Sequence, residues 1–293
     1  MGGSVIGLAE HGRLRRVLVK HARDAFVSKE QIDSQWKQLN YTAAPDFSNA
    51  VKEYDRFVEI LSGSGAEVVA LPRVADTNLD SIYTRDAAVV TPAGVVLCGM
   101  GKAARAEEPS AQGAALRRAG IGISGTVTAP GSLEGGDLLW LDERTVAVGQ
   151  GRRTNAEGIR QFRQLLGDWP GELIVVPLPD DPGPHDVMHL MSFVSPVDLN
   201  LAVVFSPLLP DAFRKILLHR GYELIDVPAE EYDTMGTNVL ALAPRECVML
   251  EGNPKTRAAL ERAGARVQAY EGKEISLKGG GGPTCLTRPL ARS

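Results

Sequence analysis

The fold is decided by three consecutive segments, "DLLWLDERTVAVG" (137–149), "TNAEGIRQFRQLLG" (154–167) and "ELIVVPLP" (172–179). The first has two apolar runs on either side of a polar turn, which is typical of a β-hairpin. In the second, apolar residues recur at helical spacing, and Thr154 with Glu157 three residues later predicts a capping box at the helix start. The third is a short apolar strand. The order is therefore hairpin, helix, strand.

The same order recurs along the chain. Three further units repeat the order hairpin, helix and strand. Their ranges, in that order, are 87–98, 110–119 and 125–130; 190–204, 210–221 and 223–228; and 238–252, 253–264 and 266–271. An imperfect fifth unit consists of 13–22, 47–65 and 66–72. Repetition at about 40 to 60 residues predicts an α/β array of five units, either closed around a central axis or stacked, in a single domain over residues 1–293. The tail after the last unit could close the array by pairing with the first. The alternative is a generic α/β chain in which helices merely alternate with hairpins.

Composition excludes several classes of function. The chain has 293 residues, 44% of them hydrophobic, and a formal net charge of −4. This charge and the absence of a dense Lys/Arg stripe argue against a nucleic-acid partner. No apolar run approaches the roughly 18 residues of a membrane span, and the N-terminus lacks a signal-peptide core, so a cytoplasmic protein is expected. The sequence leaves homo-oligomer formation open.

Chemically capable residues lie where a connection enters a hairpin. They are Asp80 and Asp86 before the hairpin at 87–98, Glu134 before the next, His185 and His189 before the next, and Cys285 after the run Gly279–Gly282. In an array around one axis, these equivalent positions converge. Together they supply a nucleophile, a base, a carboxylate that orients the base, and two carboxylates for a cation.

Each of these residues also has a plainer interpretation. A single Cys is more often a small buried hydrophobic residue, and Cys98 and Cys247 fit that description. Glu134 could stabilise a turn, and Arg85 with Asp86 could form a surface ion pair. The glycine run could be a flexible tail. The three cysteines form no CxxC pair, so neither a disulfide framework nor a structural zinc site is predicted.

Five motifs resemble the guanidino-group-modifying superfamily of five-bladed pentein fold. They are "YTRDAAVV" (83–90), "LEGGD" (133–137), "VGQGRRTNAEGIRQF" (148–162), "HLMSF" (189–193) and "GGGGPTCLT" (279–287). They occur in family order, and the likeness is greatest to dimethylarginine dimethylaminohydrolases and arginine deiminases. The combination is specific, although each motif alone is not.

The resemblance implies a role for each matching residue. Cys285 corresponds to the nucleophile, His189 to the acid/base and Glu134 to the carboxylate that orients the chemistry. Asp86 and Asp80 correspond to the carboxylates that bind the guanidinium. Arg105 and Arg153 lie where the family binds the amino-acid carboxylate, with Arg152 as a neighbouring alternative to Arg153. The substrate is a small cationic guanidino compound, and the family chemistry needs neither a metal nor an organic cofactor.

Departures from the family patterns make the substrate evidence mixed. Arginine deiminases carry an aspartate two residues after the histidine, where this chain has Met191, and this favours a methylated leaving amine packed against Met191. Arg85 in "TRD" is instead deiminase-like. Asn40 could supply a polar group near the mouth of the site. We therefore expect hydrolysis of methylated arginine to citrulline, with arginine deiminase, arginine dihydrolase and amidinotransferase as alternatives and a non-catalytic arginine binder as the least favoured.

Overall fold

The computed structural model describes residues 7–169, 171–180 and 188–293. Its strands are β1 (Leu14–Val19), β2 (Glu67–Ala70), β3 (Ala88–Thr91), β4 (Gly94–Leu97), β5 (Ile123–Thr126), β6 (Leu138–Asp142), β7 (Thr145–Gln150), β8 (Glu172–Pro177), β9 (Val194–Asp198), β10 (Leu201–Val204), β11 (Glu223–Asp226), β12 (Leu240–Ala243), β13 (Glu246–Leu250), β14 (Arg266–Tyr270) and β15 (Arg288–Arg292). Its α-helices are α1 (Ala22–Ala25), α2 (Lys29–Gln35), α3 (Phe47–Gly63), α4 (Glu108–Arg118), α5 (Ala156–Leu165), α6 (Asp211–His219) and α7 (Pro254–Arg262).

The strands form five three-stranded sheets of identical design. Their orders are β15-β1-β2, β3-β4-β5, β6-β7-β8, β9-β10-β11 and β12-β13-β14. In each, the central strand pairs antiparallel with one neighbour and parallel with the other. The antiparallel partner is reached by a tight turn in four sheets, whereas the parallel partner requires a crossover, which contains a helix. The predicted order of hairpin, helix and strand is thereby confirmed in four units.

The first sheet joins the two ends of the chain. β15 pairs antiparallel with β1, with Leu18 opposite Arg288 and Val17 opposite Pro289. The prediction that the tail pairs with the first unit is confirmed. Cys285 is separated by two residues from the start of β15, so this pairing fixes the backbone that follows the glycine run.

The start of α5 differs from the prediction. Asn155, not Thr154, is the N-cap, and its side chain accepts a hydrogen bond from the Gly158 N–H at 2.7 Å. Thr154 is fully buried and donates its hydroxyl to Asp137 at 2.6 Å. A buried carboxylate without a hydrogen-bond donor is costly, so the Thr154 hydroxyl donates to Asp137. Asn155 can cap the helix equally well.

Three clusters of buried apolar side chains lie between the sheets and helices. The three cysteines are free; Cys98 and Cys247 are buried in strand regions, as predicted, and Cys285 is only partly buried. Within the described ranges, no helix has both the length and the apolar character needed to cross a membrane.

Candidate active site

One cavity collects most of the predicted site residues. It encloses about 370 Å³ between its walls, part of it open to solvent. The lining residues are Leu39, Asp80, Tyr83, Asp86, Lys102, Arg105, Arg153, His189, Gly279, Gly280, Gly281 and Cys285. Six of the seven predicted residues are among them. The seventh, Glu134, lies directly behind His189.

Glu134 is a fully buried carboxylate at the centre of a hydrogen-bond network. Its Oε2 lies 2.8 Å from His189 Nε2, and Arg153 Nη1 lies 3.2 Å from both carboxylate oxygens. The N–H groups of Gly101 and Lys102 donate to its Oε1 at 2.9 and 3.2 Å. Burial alone would raise the pKa of Glu134, but His189 and Arg153 hold this pKa below its ordinary value. Glu134 is therefore an ionised, immobilised partner for the imidazole.

The surroundings of His189 favour the protonated form of its imidazole. Burial disfavours its protonated form, but Asp86, Asp137 and Glu134 outweigh that effect and raise the His189 pKa to about 9. Asp137 is itself buried, and it accepts hydrogen bonds from Thr154 and from the Leu190 N–H at 3.0 Å. The imidazolium can thus donate a proton to a group bound in the cavity.

Asp86 divides its two oxygens between structure and cavity. Oδ2 accepts a hydrogen bond from Arg105 Nη1 at 2.6 Å. Oδ1 is buried, lies 3.9 Å from His189 Nδ1, and has no hydrogen-bond partner among the described residues. Arg105 is held in turn by two hydrogen bonds to Glu108 and one to the Tyr83 carbonyl. An oriented carboxylate oxygen is left for a cationic N–H donor.

Asp80 lies at the side of the cavity formed by the segment around residue 39. Lys102 Nζ donates to Asp80 Oδ2 at 2.7 Å and to the Leu39 carbonyl at 3.0 Å. The neighbouring Arg85 does not pair with Asp86, so the alternative of a surface ion pair is wrong. Arg85 is 1% exposed and binds Glu10 and the Thr284 carbonyl. Its hydrogen bond to the Thr284 carbonyl holds the segment that carries Cys285 in place.

Cys285 is positioned by Asn238, a residue that the sequence analysis did not select. Asn238 Nδ2 lies 3.5 Å from Cys285 Sγ, and its Oδ1 accepts hydrogen bonds from both N and Oγ1 of Thr284 at 3.0 and 2.9 Å. Burial and Asp86 raise the pKa of the Cys285 thiol, while Thr284, Asn238 and Arg85 oppose that shift. The net effect raises the thiol pKa and so favours the neutral thiol in the empty cavity.

The glycine run is a packed wall and not a flexible tail. A Cβ on Gly279 would lie 2.0 Å from Tyr83 Oη, and a Cβ on Gly281 would lie 2.4 Å from the same ring. Gly280 has a positive φ of 83°, which side chains disfavour. The run follows a π-helical turn over Lys273–Leu277. Glycine is required here because the backbone passes directly against Tyr83 on its way to Cys285.

Comparison with known proteins identifies the family. A sequence model described as "N,N dimethylarginine dimethylhydrolase, eukaryotic" matches residues 24–292. The chain belongs to this family. Membership makes it a hydrolase acting on carbon–nitrogen bonds of linear amidines, within the guanidino-modifying superfamily that the motifs indicated.

Curated relatives carry more than one name. An uncharacterized protein, YkgA, of Bacillus subtilis is 31% identical over 82% of this chain and 79% of its own length. A dimethylarginine dimethylaminohydrolase of Streptomyces coelicolor is 29% identical over 75% of this chain and 78% of its own. An arginine deiminase of Rhodococcus opacus is 31% identical, but over only 56% of this chain and 47% of its own.

Solved structures show the same fold. The dimethylarginine hydrolase of Pseudomonas aeruginosa, a cysteine mutant complexed with citrulline, superposes with a TM-score of 0.75 at 20% identity, covering 94% of this chain and 98% of its own. The N-terminal domain of a cyanobacterial arginine dihydrolase bound to substrate gives a TM-score of 0.78 at 18% identity, with coverage of 94% and 98%. At these identities the likeness establishes the fold alone.

In this member of the dimethylarginine hydrolase family, Met191 does not meet the cavity. It is 3% exposed and packs with Leu139, Leu190 and Phe193 in an apolar cluster. The expectation that Met191 contacts the leaving amine is wrong. Met191 lies in the short 3₁₀ turn Leu190–Ser192, and this turn sets the direction of the Met191 side chain. Sequence spacing does not specify that direction.

Of the two candidate arginines at 152 and 153, Arg153 lines the cavity and Arg152 does not. The exposed Arg152 pairs with Asp180 at 3.1 Å, whereas Arg153 is buried and lines the cavity. Asn40 is exposed and has a positive φ of 67°; its neighbour Leu39 contributes to the cavity wall instead. His185 lies outside the described residues.

Three groups could in principle contact a metal ion. Ligand atoms of Asp86, Glu134 and His189 lie within 4.8 Å of one another. Arg105 hydrogen-bonds to Asp86, and Arg153 hydrogen-bonds to Glu134. The two carboxylates raise the pKa of His189 and so favour its protonated form. Since a metal needs a neutral imidazole, this donor set suits an organic cation better than a metal.

Proposed function

We propose that the chain hydrolyses methylated arginine, either dimethylarginine or monomethylarginine, to citrulline and an amine through a covalent intermediate on Cys285. The observation that carries this proposal is the cavity in which Cys285, the imidazolium of His189 and the unpaired oxygen of Asp86 lie together. The preference for a methylated substrate rests on the match to the dimethylarginine hydrolase family over residues 24–292.

In this proposal the substrate guanidinium binds to carboxylates. Asp86 Oδ1 and Asp80 accept its N–H groups, because a permanent cation in a buried site needs fixed acceptors. Arg153 binds the amino-acid carboxylate, as the resemblance implies. Arg105 contributes to carboxylate binding and also positions Asp86, since three of its nitrogens already bond to Asp86, Glu108 and the Tyr83 carbonyl.

The bound cation activates the nucleophile. A positive charge beside Cys285 lowers the thiol pKa, which burial has raised, so that the thiol gives its proton to solvent and becomes a thiolate. The sulfur attacks the central guanidinium carbon and forms a C–S bond. His189 then gives its proton to the departing nitrogen, the C–N bond breaks, and the amine leaves. Glu134 keeps the imidazole oriented through both events.

The second half of the reaction reverses the role of His189. The imidazole, now neutral, takes a proton from water, and the hydroxide attacks the carbon bonded to sulfur. The C–S bond breaks and its electron pair stays on the sulfur, which takes the proton of the new hydroxyl group. Citrulline is released, the thiol and imidazolium are restored, and the free amine takes up the proton that the thiol first gave to solvent. Atoms and charges balance with water as the only co-reactant.

The position of the site favours the ring arrangement of the five sheets. Asp86, Glu134 and His189 precede the hairpins of three different sheets, and Cys285 precedes the strand that completes a fourth. Side chains from four equivalent connections meet most simply if the sheets surround a common axis.

A product survey tests this function. Purified protein receives equal concentrations of asymmetric dimethylarginine, monomethylarginine and arginine, and mass spectrometry quantifies citrulline, ornithine and each amine. We expect citrulline with dimethylamine or methylamine, and arginine consumed more slowly. Preferred release of ammonia would indicate a deiminase, and ornithine would indicate a dihydrolase. Transfer to an added amine would indicate an amidinotransferase. Cys285→Ser should abolish turnover, whereas the matched control Cys98→Ser should retain it.

A further inference from the structure

A second cavity lies beside β15. It has about 270 Å³ of space between its walls, part of it open to solvent, and is lined by Gly7, Leu8, Glu10, Val90, Trp140, Arg288, Pro289, Leu290, Ala291 and Arg292. None of the residues assigned above to the guanidinium chemistry is among them. Two arginines face a space whose other walls are mainly apolar.

The positive charges around this cavity outnumber the negative ones. Arg85, Arg288 and Arg292 are 1%, 3% and 3% exposed, and Glu10 is the carboxylate they share. Glu10 pairs with Arg85 at 3.1 Å, but its distance to Arg292 is 4.0 Å, too long for a hydrogen bond. Arg288 has no ion pair within the described part of the chain and donates only to the carbonyls of Arg85 and Gly135.

Several guanidinium nitrogens at this site have no acceptor. Arg85 Nη2, Arg288 Nε, and Arg292 Nε and Nη2 are buried and without a hydrogen-bond partner among the residues described. Buried donors are almost always paired, and the cost of leaving them unpaired is greatest for charged groups. Burial and repulsion from Arg85 lower the pKa of Arg288 to about 9 and that of Arg292 to about 10.

Neighbouring carboxylates do not balance this charge. Asp86 acts on Arg288 electrostatically, but its hydrogen bond goes to Arg105. Glu143 accepts the N–H groups of Leu8 and Ala9. The six residues before Gly7, Met-Gly-Gly-Ser-Val-Ile, contain no acidic side chain. The cluster keeps a formal excess of two positive charges over Glu10.

The geometry points to a binding site for a small, weakly hydrated monoanion, a halide such as chloride, between Arg288 and Arg292, the two arginines that line the cavity. Such an ion accepts hydrogen bonds from several directions and therefore suits buried guanidinium N–H groups that have no carboxylate partner. The apolar walls from Leu8, Val90 and Trp140 disfavour strongly hydrated ions such as fluoride or sulfate, because those lose more hydration on entry. The tests of this site do not depend on the reaction proposed for Cys285.

Diffraction with bromide tests the location directly. Crystals of the wild-type chain grown in bromide should show an anomalous difference peak between the guanidinium groups of Arg288 and Arg292. A map with no bromide peak there, or with water in its place, overturns the proposal.

A thermal titration tests whether binding occurs in solution. Chloride is raised at constant ionic strength against gluconate, whose hydrated carboxylate and hydroxyl groups are disfavoured by the apolar walls, and Tm is recorded. We expect a saturable rise in Tm, with fluoride less effective than chloride and chloride less effective than bromide. Arg292→Gln should weaken the apparent affinity about tenfold or more. The control Arg118→Gln, an exposed position in the last turn of α4, should respond as the wild type does.

Each outcome has a defined meaning. A Tm that does not change with chloride, or an equal response in Arg292→Gln and wild type, overturns the proposal even if bromide appears in crystals, since that is binding at crystal concentration only. If Arg292→Gln does not fold, the bromide map and the halide order in wild type decide, and failure of either overturns the site. Catalytic activity plays no part in either readout, so failure of the proposed reaction would leave the test intact.

Discussion

Gly136→Ala is the sharpest test of how tightly the site is packed. A Cβ at position 136 would lie 2.6 Å from His189 Nδ1 and 2.8 Å from Asp86 Oδ1. Ordinary contact begins at 3.4 Å, so His189 must retreat by about 0.8 Å. The φ of Gly136 is not in the left-handed region, and the effect is therefore steric and not conformational.

The displacement acts on the 2.8 Å contact between His189 and Glu134. Misplacing a reacting group by about 1 Å can cost about 100-fold in rate, and we expect kcat/KM to fall by about that factor. Overpacking should also cost about 1 to 3 kcal/mol of folding free energy. The assay is steady-state citrulline formation, with the melting temperature of each variant measured in the same buffer.

Gly122→Ala is the matched control, because a Cβ at this exposed glycine would meet no atom within 4 Å. It should keep wild-type kcat/KM. If Gly136→Ala is folded and retains kcat/KM within about threefold of the wild type, the described packing of His189 against residue 136 is wrong.

Three further predictions concern neighbouring residues. Asn238→Ala removes a hydrogen bond that lowers the Cys285 pKa, so alkylation of the free thiol by iodoacetamide should require higher pH; an unchanged pH profile would contradict this role. Asp137→Asn removes a charge that raises the His189 pKa. Since the proposed mechanism uses the protonated imidazole, kcat/KM should begin to fall below pH 9 instead of near it, and an unmoved alkaline limb would count against the assignment. Met191→Leu should leave the ratio of kcat/KM for dimethylarginine and arginine unchanged in a competition assay, because Met191 is 3% exposed and lies in the core. A change in this ratio would indicate that Met191 contacts the substrate.

The repeat could be predicted because its signals are local. Hairpins and helices differ in the period of their apolar residues, so "DLLWLDERTVAVG" and "TNAEGIRQFRQLLG" predict their own structure. The pairing of β15 with β1 followed from the repeat, which left the first unit one strand short. Asp80, Asp86, Glu134, His189 and Cys285 could be predicted to lie near one another because equivalent connections carry them. Arg105 and Arg153 were selected only through the family resemblance.

Other features depend on contacts between distant segments. Thr154 does not cap the helix because its hydroxyl donates instead to Asp137, a buried carboxylate 17 residues earlier. Met191 faces the core because a short turn after His189 sets its direction. Asn238 had one available signal, since it stands at the entry to a hairpin as Asp86 and Glu134 do. The bond from Arg85 to Glu10 spans 75 residues, and no local pattern indicates it.

The central claim is that Cys285 forms a covalent bond with the guanidinium carbon. Rapid acid quenching of the enzyme during turnover of dimethylarginine, followed by peptide mass spectrometry, tests it directly. We expect the peptide containing Cys285 to gain the mass of the substrate less its departing amine, with no such gain in Cys285→Ser. Citrulline production without that adduct in the wild type, or an adduct on Cys98 or Cys247, would contradict the account.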